Sequence, residues 1–162
     1  MKSLKKLYLC IVAIALPLTL GLLSSFIAKG AMEQFKNMNQ PPLAPPAWLF
    51  PVAWTILYIC MGLASFFLFI TQPKTSSEKT KRNVALILYV AQLILNFIWS
   101  PIFFNAQLYY LAIMILALMW IGIANIVLLA KKINKVAFWL LLPYLLWATF
   151  AAYLNVGVAL LN

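Results

Sequence analysis

The side chains able to do chemistry in this chain are indoles, phenols and carboxamides set at helical spacing. Among its 162 residues there is no histidine, which removes the commonest general base and metal ligand. The only acids, Glu33 and Glu78, lie outside the apolar runs, so no intramembrane carboxylate can relay protons. Cys10 and Cys60 fall in apolar stretches and read as small buried thiols. Neither a nucleophile–base pair nor a metal cluster can be assembled, and no metal or resident cofactor is expected. What remains is a set of spaced pairs. Trp54 and Tyr58 are one helical turn apart. Gln92, Asn96 and Trp99 form a second stripe, and Trp147, Ala151 and Asn155 a third. Aromatic rings offer stacking area, amides offer hydrogen bonds, and an alanine leaves room. Such a lining suits a large, flat aromatic small molecule.

These residues must be positioned by helices in lipid. The chain is 66% hydrophobic and 9% charged, far from the balance of a soluble domain. The predicted fold is all-α, one integral membrane domain over residues 1–162. Its five transmembrane helices are predicted at about 7–27, 47–70, 83–104, 108–129 and 136–160. The N-terminal run imitates a signal peptide, but its apolar part is too long and lacks a small-x-small cleavage site, so it reads as a retained helix. Pro17 should bend the first helix and Pro101 should interrupt the third. Pro143 beside Tyr144 suggests a kink that shapes the cavity. Gly21, Ser24 and Ser25 can face other helices. No internal repeat is visible, which argues against an inverted-repeat transporter.

The net charge of +10 does not point to nucleic acid, because the basic residues are confined to short segments between helices. With the N-terminus inside, ten of the twelve lie on the inner side, leaving Lys29 and Lys36 outside. That places the C-terminus and the long segment 28–46 on the outer side of a cell membrane. Trp54 and Tyr58, then Asn96 and Trp99, then Trp147, Ala151 and Asn155 come to similar depths on three helices. A pocket opening outward beneath the loop is the expected result. Plainer readings stand beside this one. The stretch Pro41–Tyr58 also reads as a loop with an interfacial aromatic belt, and Trp48 fits that belt well. Gln92, Asn96, Asn125 and Asn155 also read as hydrogen-bonding glue between helices. Trp139 reads as an interface anchor, and Trp120 has no assigned role.

The run Pro45-Pro46-Ala47-Trp48-Leu49-Phe50-Pro51-Val52-Ala53-Trp54-Thr55-Ile56-Leu57-Tyr58, followed by Met61-Gly62, resembles the signature of the TspO/MBR family of tryptophan-rich sensory and translocator proteins, also called the peripheral-type benzodiazepine receptor family. Gln92 through Phe104 resembles that family's third-helix motif, and Leu142 through Asn155 its fifth. The first helix agrees only in position. The resemblance, to a bacterial-type member, implies a five-helix bundle that binds porphyrins, notably protoporphyrin IX, and isoquinoline-type drugs. It implies Trp54, Asn96, Trp99, Trp147 and Ala151 as pocket residues. For some bacterial members it implies light-dependent breakdown of protoporphyrin, with Trp54 and Trp147 as the photochemical positions here. Two departures stand out. Leu43 occupies the place where the family usually has Trp two residues before its Pro-Pro pair. No basic residue follows Tyr153, so the vertebrate cholesterol motif is absent.

The function expected is therefore porphyrin binding, with photochemical turnover as an extension rather than conventional enzymology. A small transporter of porphyrin or another hydrophobic aromatic compound is the alternative, and a structural membrane protein without a ligand is the third reading. The expected partners are that ligand and membrane lipid. The sequence leaves the oligomeric state open, a homodimer included.

Overall fold

The structure is a computed structural model that describes residues 2–162, with the backbone alone for Lys2. Its elements are α1 (Lys2–Ile27), α2 (Ala31–Asn37), α3 (Leu49–Ile70), α4 (Ser76–Phe104), α5 (Tyr109–Ile133) and α6 (Lys135–Leu161), with no strand among the described residues. All but the short α2 are long and apolar enough to cross a membrane. The chain is an all-α integral membrane protein, as its composition predicts. The shortest spanning helix, α3, has 22 residues. At 1.5 Å per residue it is roughly 33 Å long, enough for a ~30 Å hydrocarbon core.

Local capping moves several predicted boundaries. The helix predicted from residue 83 begins at Ser76, because the Thr75 hydroxyl accepts the Glu78 N–H at 3.1 Å. The Glu78 carboxylate in turn accepts the Lys74 N–H at 2.7 Å, which holds the turn before the cap. Of the charges predicted in that loop, Glu78, Lys79, Lys81 and Arg82 are thus helical, and Lys74 precedes the cap. Only Asn134 separates α5 from α6, and its side chain accepts the N–H groups of Val136 and Ala137. The segment predicted as one long loop contains α2, entered through Gly30 at φ 79°, a conformation natural to glycine. Pro101 does not interrupt α4, which runs on to Phe104, and Pro17 and Pro143 also lie inside unbroken helices.

The five long helices close into a ring in the order α1, α3, α6, α5, α4 and back to α1. Backbones approach closely between α1 and α3. A Cβ added to Gly62 would lie 2.5 Å from the Ile14 Cα, so only glycine permits this approach. Toward the end of the bundle that carries α2, α1 is instead tied to α4. The Ser24 hydroxyl donates to the Phe97 carbonyl at 2.9 Å, and the Asn105 amide donates to the Ile27 carbonyl at 2.9 Å. That end is sealed by Phe35 of α2 packing among Phe103, Phe104, Ala112 and Val158.

The segment after α2 is stitched to the end of α6. The Asn39 N–H donates to the Asn162 Oδ1 and the Asn162 Nδ2 donates to the Asn39 carbonyl, both at 3.0 Å. The Asn39 Nδ2 also donates to the Leu161 carbonyl at 3.1 Å, and the Tyr153 hydroxyl to the Pro42 carbonyl at 2.6 Å. Pro41 lies so close to α6 that a Cβ on Gly157 would stand 2.5 Å from its ring. This small helix and strap form a lid over the bundle.

Candidate functional site

Beneath the lid lies a cavity of about 210 Å³ enclosed by α1, α3, α4 and α6. Helix α3 supplies Phe50, Trp54 and Tyr58; α4 supplies Asn96, Trp99 and Phe104; α6 supplies Trp147 and Ala151. The fourth wall is α1, through Leu18, Gly21, Leu22 and Ser25, and the lid adds Ala31 and Met32. The helical stripes read from the sequence do converge on one space, because three helices of the ring turn those faces inward at one level. A broader depression of about 820 Å³ lies at the lid end, between α2, the start of α5 and the last turn of α6. It contains none of the tryptophans or the Asn96 amide.

The aromatic lining falls into three packed groups. Trp54 lies over Tyr58 with ring centroids 5.3 Å apart and meets Tyr144 edge-on at 6.3 Å. Phe50 bridges lid and cavity, 4.8 Å from Phe35 and 6.0 Å from Trp147. Trp99 stacks on Phe103 at 5.0 Å, which holds its indole against α4. Contacts of this kind fix ring orientation and add roughly 0.5–1.5 kcal/mol per pair beyond burial.

One polar ladder backs this lining. The Tyr58 hydroxyl donates to the Asn96 Oδ1 at 2.7 Å, and the Asn96 Nδ2 donates to the Tyr144 oxygen at 3.3 Å. The Tyr144 hydroxyl then donates to the Gln92 Oε1 at 2.6 Å. Asn96 is pinned at both ends, so its amide orientation is set by the two tyrosines. Gln92 serves as glue between α4 and α6, while its Nε2 is buried without a partner. The nearby Tyr89 hydroxyl is likewise buried without a hydrogen-bond partner of good geometry; the Ser65 hydroxyl beside it donates to the Gly62 carbonyl.

The pattern of the TspO/MBR family matches residues 13–161, nearly the whole chain. The chain is 38% identical over 139 residues to the "Tryptophan-rich protein TspO" of Chlorobaculum tepidum, covering 86% of this chain and 85% of the relative. It is 36% identical to the "Tryptophan-rich sensory protein" of Cereibacter sphaeroides, over 80% of this chain and 77% of the relative. It is 33% identical to the "Translocator protein" of Ovis aries, over 82% of this chain and 76% of the relative. The chain belongs to the TspO/MBR family. The match includes most of α1, the helix that agrees with the family motifs only by position.

In this TspO/MBR chain, six of the seven residues singled out from the sequence line the cavity: Trp54, Tyr58, Asn96, Trp99, Trp147 and Ala151. Asn155 does not. It is 1% exposed and sits behind Trp99, accepting the indole N–H at 3.0 Å and reaching the Tyr109 carbonyl at 3.4 Å. Its place on the helical stripe is as predicted, but its side chain spans α4, α5 and α6 rather than facing the space. Asn125 is not glue between helices either: it is exposed and donates to the Ile121 carbonyl of its own helix. Trp120, unassigned from sequence, joins α5 to α6 through a 2.8 Å bond to the Thr149 hydroxyl. Trp48 and Trp139 are about two-thirds exposed, as belt residues would be. Leu43, in place of the usual loop tryptophan, is exposed at φ 65° and contributes nothing to the cavity.

Two features escaped the sequence reading. Tyr144, noted only beside Pro143, is a fully buried link in the ladder. The wall formed by α1 was signalled only by the small residues Gly21, Ser24 and Ser25. The segment expected as an open loop over the cavity is a lid hydrogen-bonded to the end of α6. The cavity's exposed lining residues, Leu22 and Ser25 of α1 and Pro51 and Thr55 of α3, lie along one side.

Proposed function

We propose that this TspO/MBR-family protein binds a porphyrin, with protoporphyrin IX as the reference compound, in the cavity under the lid. The observation that carries the reading is the lining itself. Trp54, Tyr58, Trp99 and Trp147 surround one space with a single oriented amide, Asn96, and a small residue, Ala151. Flat aromatic compounds gain most from such walls. The cavity of about 210 Å³ is below the roughly 300–1,000 Å³ usual for ligand pockets, so a macrocycle must widen it or extend through its open side. With no histidine in the chain, the site has no imidazole to ligate haem iron, and metal-free porphyrin is the preferred form.

Trp54 and Trp147, the positions the family resemblance implies, are the residues assigned to any light-dependent breakdown; both put an oxidisable indole on the cavity, as does Trp99. The protein is placed in a bacterial cell membrane with its N-terminus inside and its C-terminus outside, supported by the ten-to-two split of basic residues. The test is tryptophan fluorescence quenching during protoporphyrin IX titration, followed by porphyrin absorbance under light and in the dark. Saturable quenching in the native chain, weakened by Ala151→Leu, is the expected result. Light-dependent loss reduced in Trp54→Phe or Trp147→Phe, with binding retained, would establish turnover. Equal loss in all three proteins would leave a binder alone.

A further inference from the structure

We propose that the ligand reaches the cavity sideways from the membrane, through a slit between α1 and α3 in the leaflet nearest the lid, and not past the lid from the water. The proposal rests on the binding reading above but makes a separate statement about route. The slit is edged by Leu22 and Ser25 on α1 and by Pro51 and Thr55 on α3. All four are exposed and all four line the cavity, so lipid and cavity share these side chains.

The hydrogen bonds explain why the opening lies there. Every polar tie of α1 near the lid runs to α4, through Ser24 to Phe97 and through Ile27 to Asn105. Helix α3 meets α1 intimately only deeper in the bundle, at Gly62 against Ile14 and at Gly21 against the Tyr58 ring. Above Gly21 the two helices have no hydrogen bond between them, and Leu22 is 70% exposed. The Thr55 hydroxyl is already satisfied by the Pro51 carbonyl at 2.8 Å, so widening the slit need not break a polar contact there. The route past the lid is different. It would require parting the reciprocal Asn39–Asn162 bonds and the Tyr153–Pro42 bond, and lifting Pro41 from Gly157. An apolar ring system is already concentrated in the bilayer by the hydrophobic effect, so the lateral path begins where the ligand is.

The experiment uses the full chain in lipid nanodiscs, with Cys10 and Cys60 replaced by Ala, and follows indole quenching by protoporphyrin IX in stopped flow. One variant, Asn39→Cys/Asn162→Cys, locks the lid by a disulfide and is compared with its own reduced form. A second, Ser25→Phe, crowds the slit. The expected outcome is that locking the lid changes the association rate less than twofold. Crowding the slit should slow dissociation about tenfold as well as association, whereas the loss of cavity space that Ser25→Phe also brings would by itself weaken binding and speed dissociation. Thermal unfolding of each variant verifies that it is folded; Thr55→Phe crowds the opposite edge and serves should Ser25→Phe fail. A tenfold slowing by the lid lock that reduction reverses, with neither slit variant affecting the rates, would overturn the lateral route while leaving the binding reading intact. Absence of saturable quenching in the unlocked background would overturn both.

Discussion

Gly21→Ala is the substitution that tests most directly how α1 builds the site. A methyl on Gly21 would fall against the Tyr58 ring, within 2.8 Å of two of its atoms and closer still to Cε2. The ring cannot swing away freely, because Trp54 covers it at 5.3 Å and its hydroxyl is held by Asn96 at 2.7 Å. Nor can α1 retreat easily, since Gly62 grips Ile14 below and the Ser24 bond holds it above. Overpacking of this kind costs about 1–3 kcal/mol. Loss of the Tyr58–Asn96 bond adds about 0.5–1.5 kcal/mol. The better helix propensity of alanine offsets up to about 1 kcal/mol. The net expectation is a loss of about 0.5–4.5 kcal/mol, read as a thermal midpoint lowered by several degrees in detergent. The displaced phenol should also weaken porphyrin quenching. In a Tyr58→Ala background the same change should cost little, because the clash is gone. Gly21→Ala with unchanged midpoint and unchanged quenching would refute this account of α1 as a cavity wall.

Three further outcomes are expected. Ala151→Leu should keep the fold, at a cost of about 1–3 kcal/mol, yet weaken porphyrin binding at least tenfold by fluorescence titration; unaltered affinity would mean that α6 does not line the bound ligand. Trp99→Phe should lower the thermal midpoint, because Asn155 loses its 3.0 Å donor while 1% exposed, with a cost of about 1–3 kcal/mol, and Trp99→Phe/Asn155→Leu should recover part of it. Tyr89→Phe should raise the midpoint, since it removes a buried hydroxyl that has no partner; a fall would show that the hydroxyl is bonded, to water for instance.

Composition and periodicity alone determined the solvent, the class and most of the cavity-lining residues that the candidate site draws on in this TspO/MBR protein. In lipid every backbone group must be paired within its own helix, so long apolar runs admit one secondary structure, and polar residues within them must find partners or a cavity. That constraint made Trp54, Asn96, Trp99 and Trp147 legible as one inward-facing group. It also failed in instructive ways. The stripe Trp147, Ala151, Asn155 was read correctly as a helix face, but a face spans a wide arc. Which side chain meets space and which meets another helix depends on where α4 and α5 sit. Asn155 therefore became the support of Trp99 rather than a wall of the cavity. Caps moved the boundaries for a related reason: whether Thr75 starts a helix depends on a local bond to Glu78, which hydropathy does not register. Only the tertiary structure decided which lining residues are covered and which stay exposed. The lid closes through contacts between residues more than a hundred positions apart, Asn39 with Asn162 and Pro42 with Tyr153. Helix α1 is hydrogen-bonded to α4 near the lid and packs on α3 below it, an arrangement absent from any single helix, and the exposed lining residues Leu22, Ser25, Pro51 and Thr55 belong to those two helices.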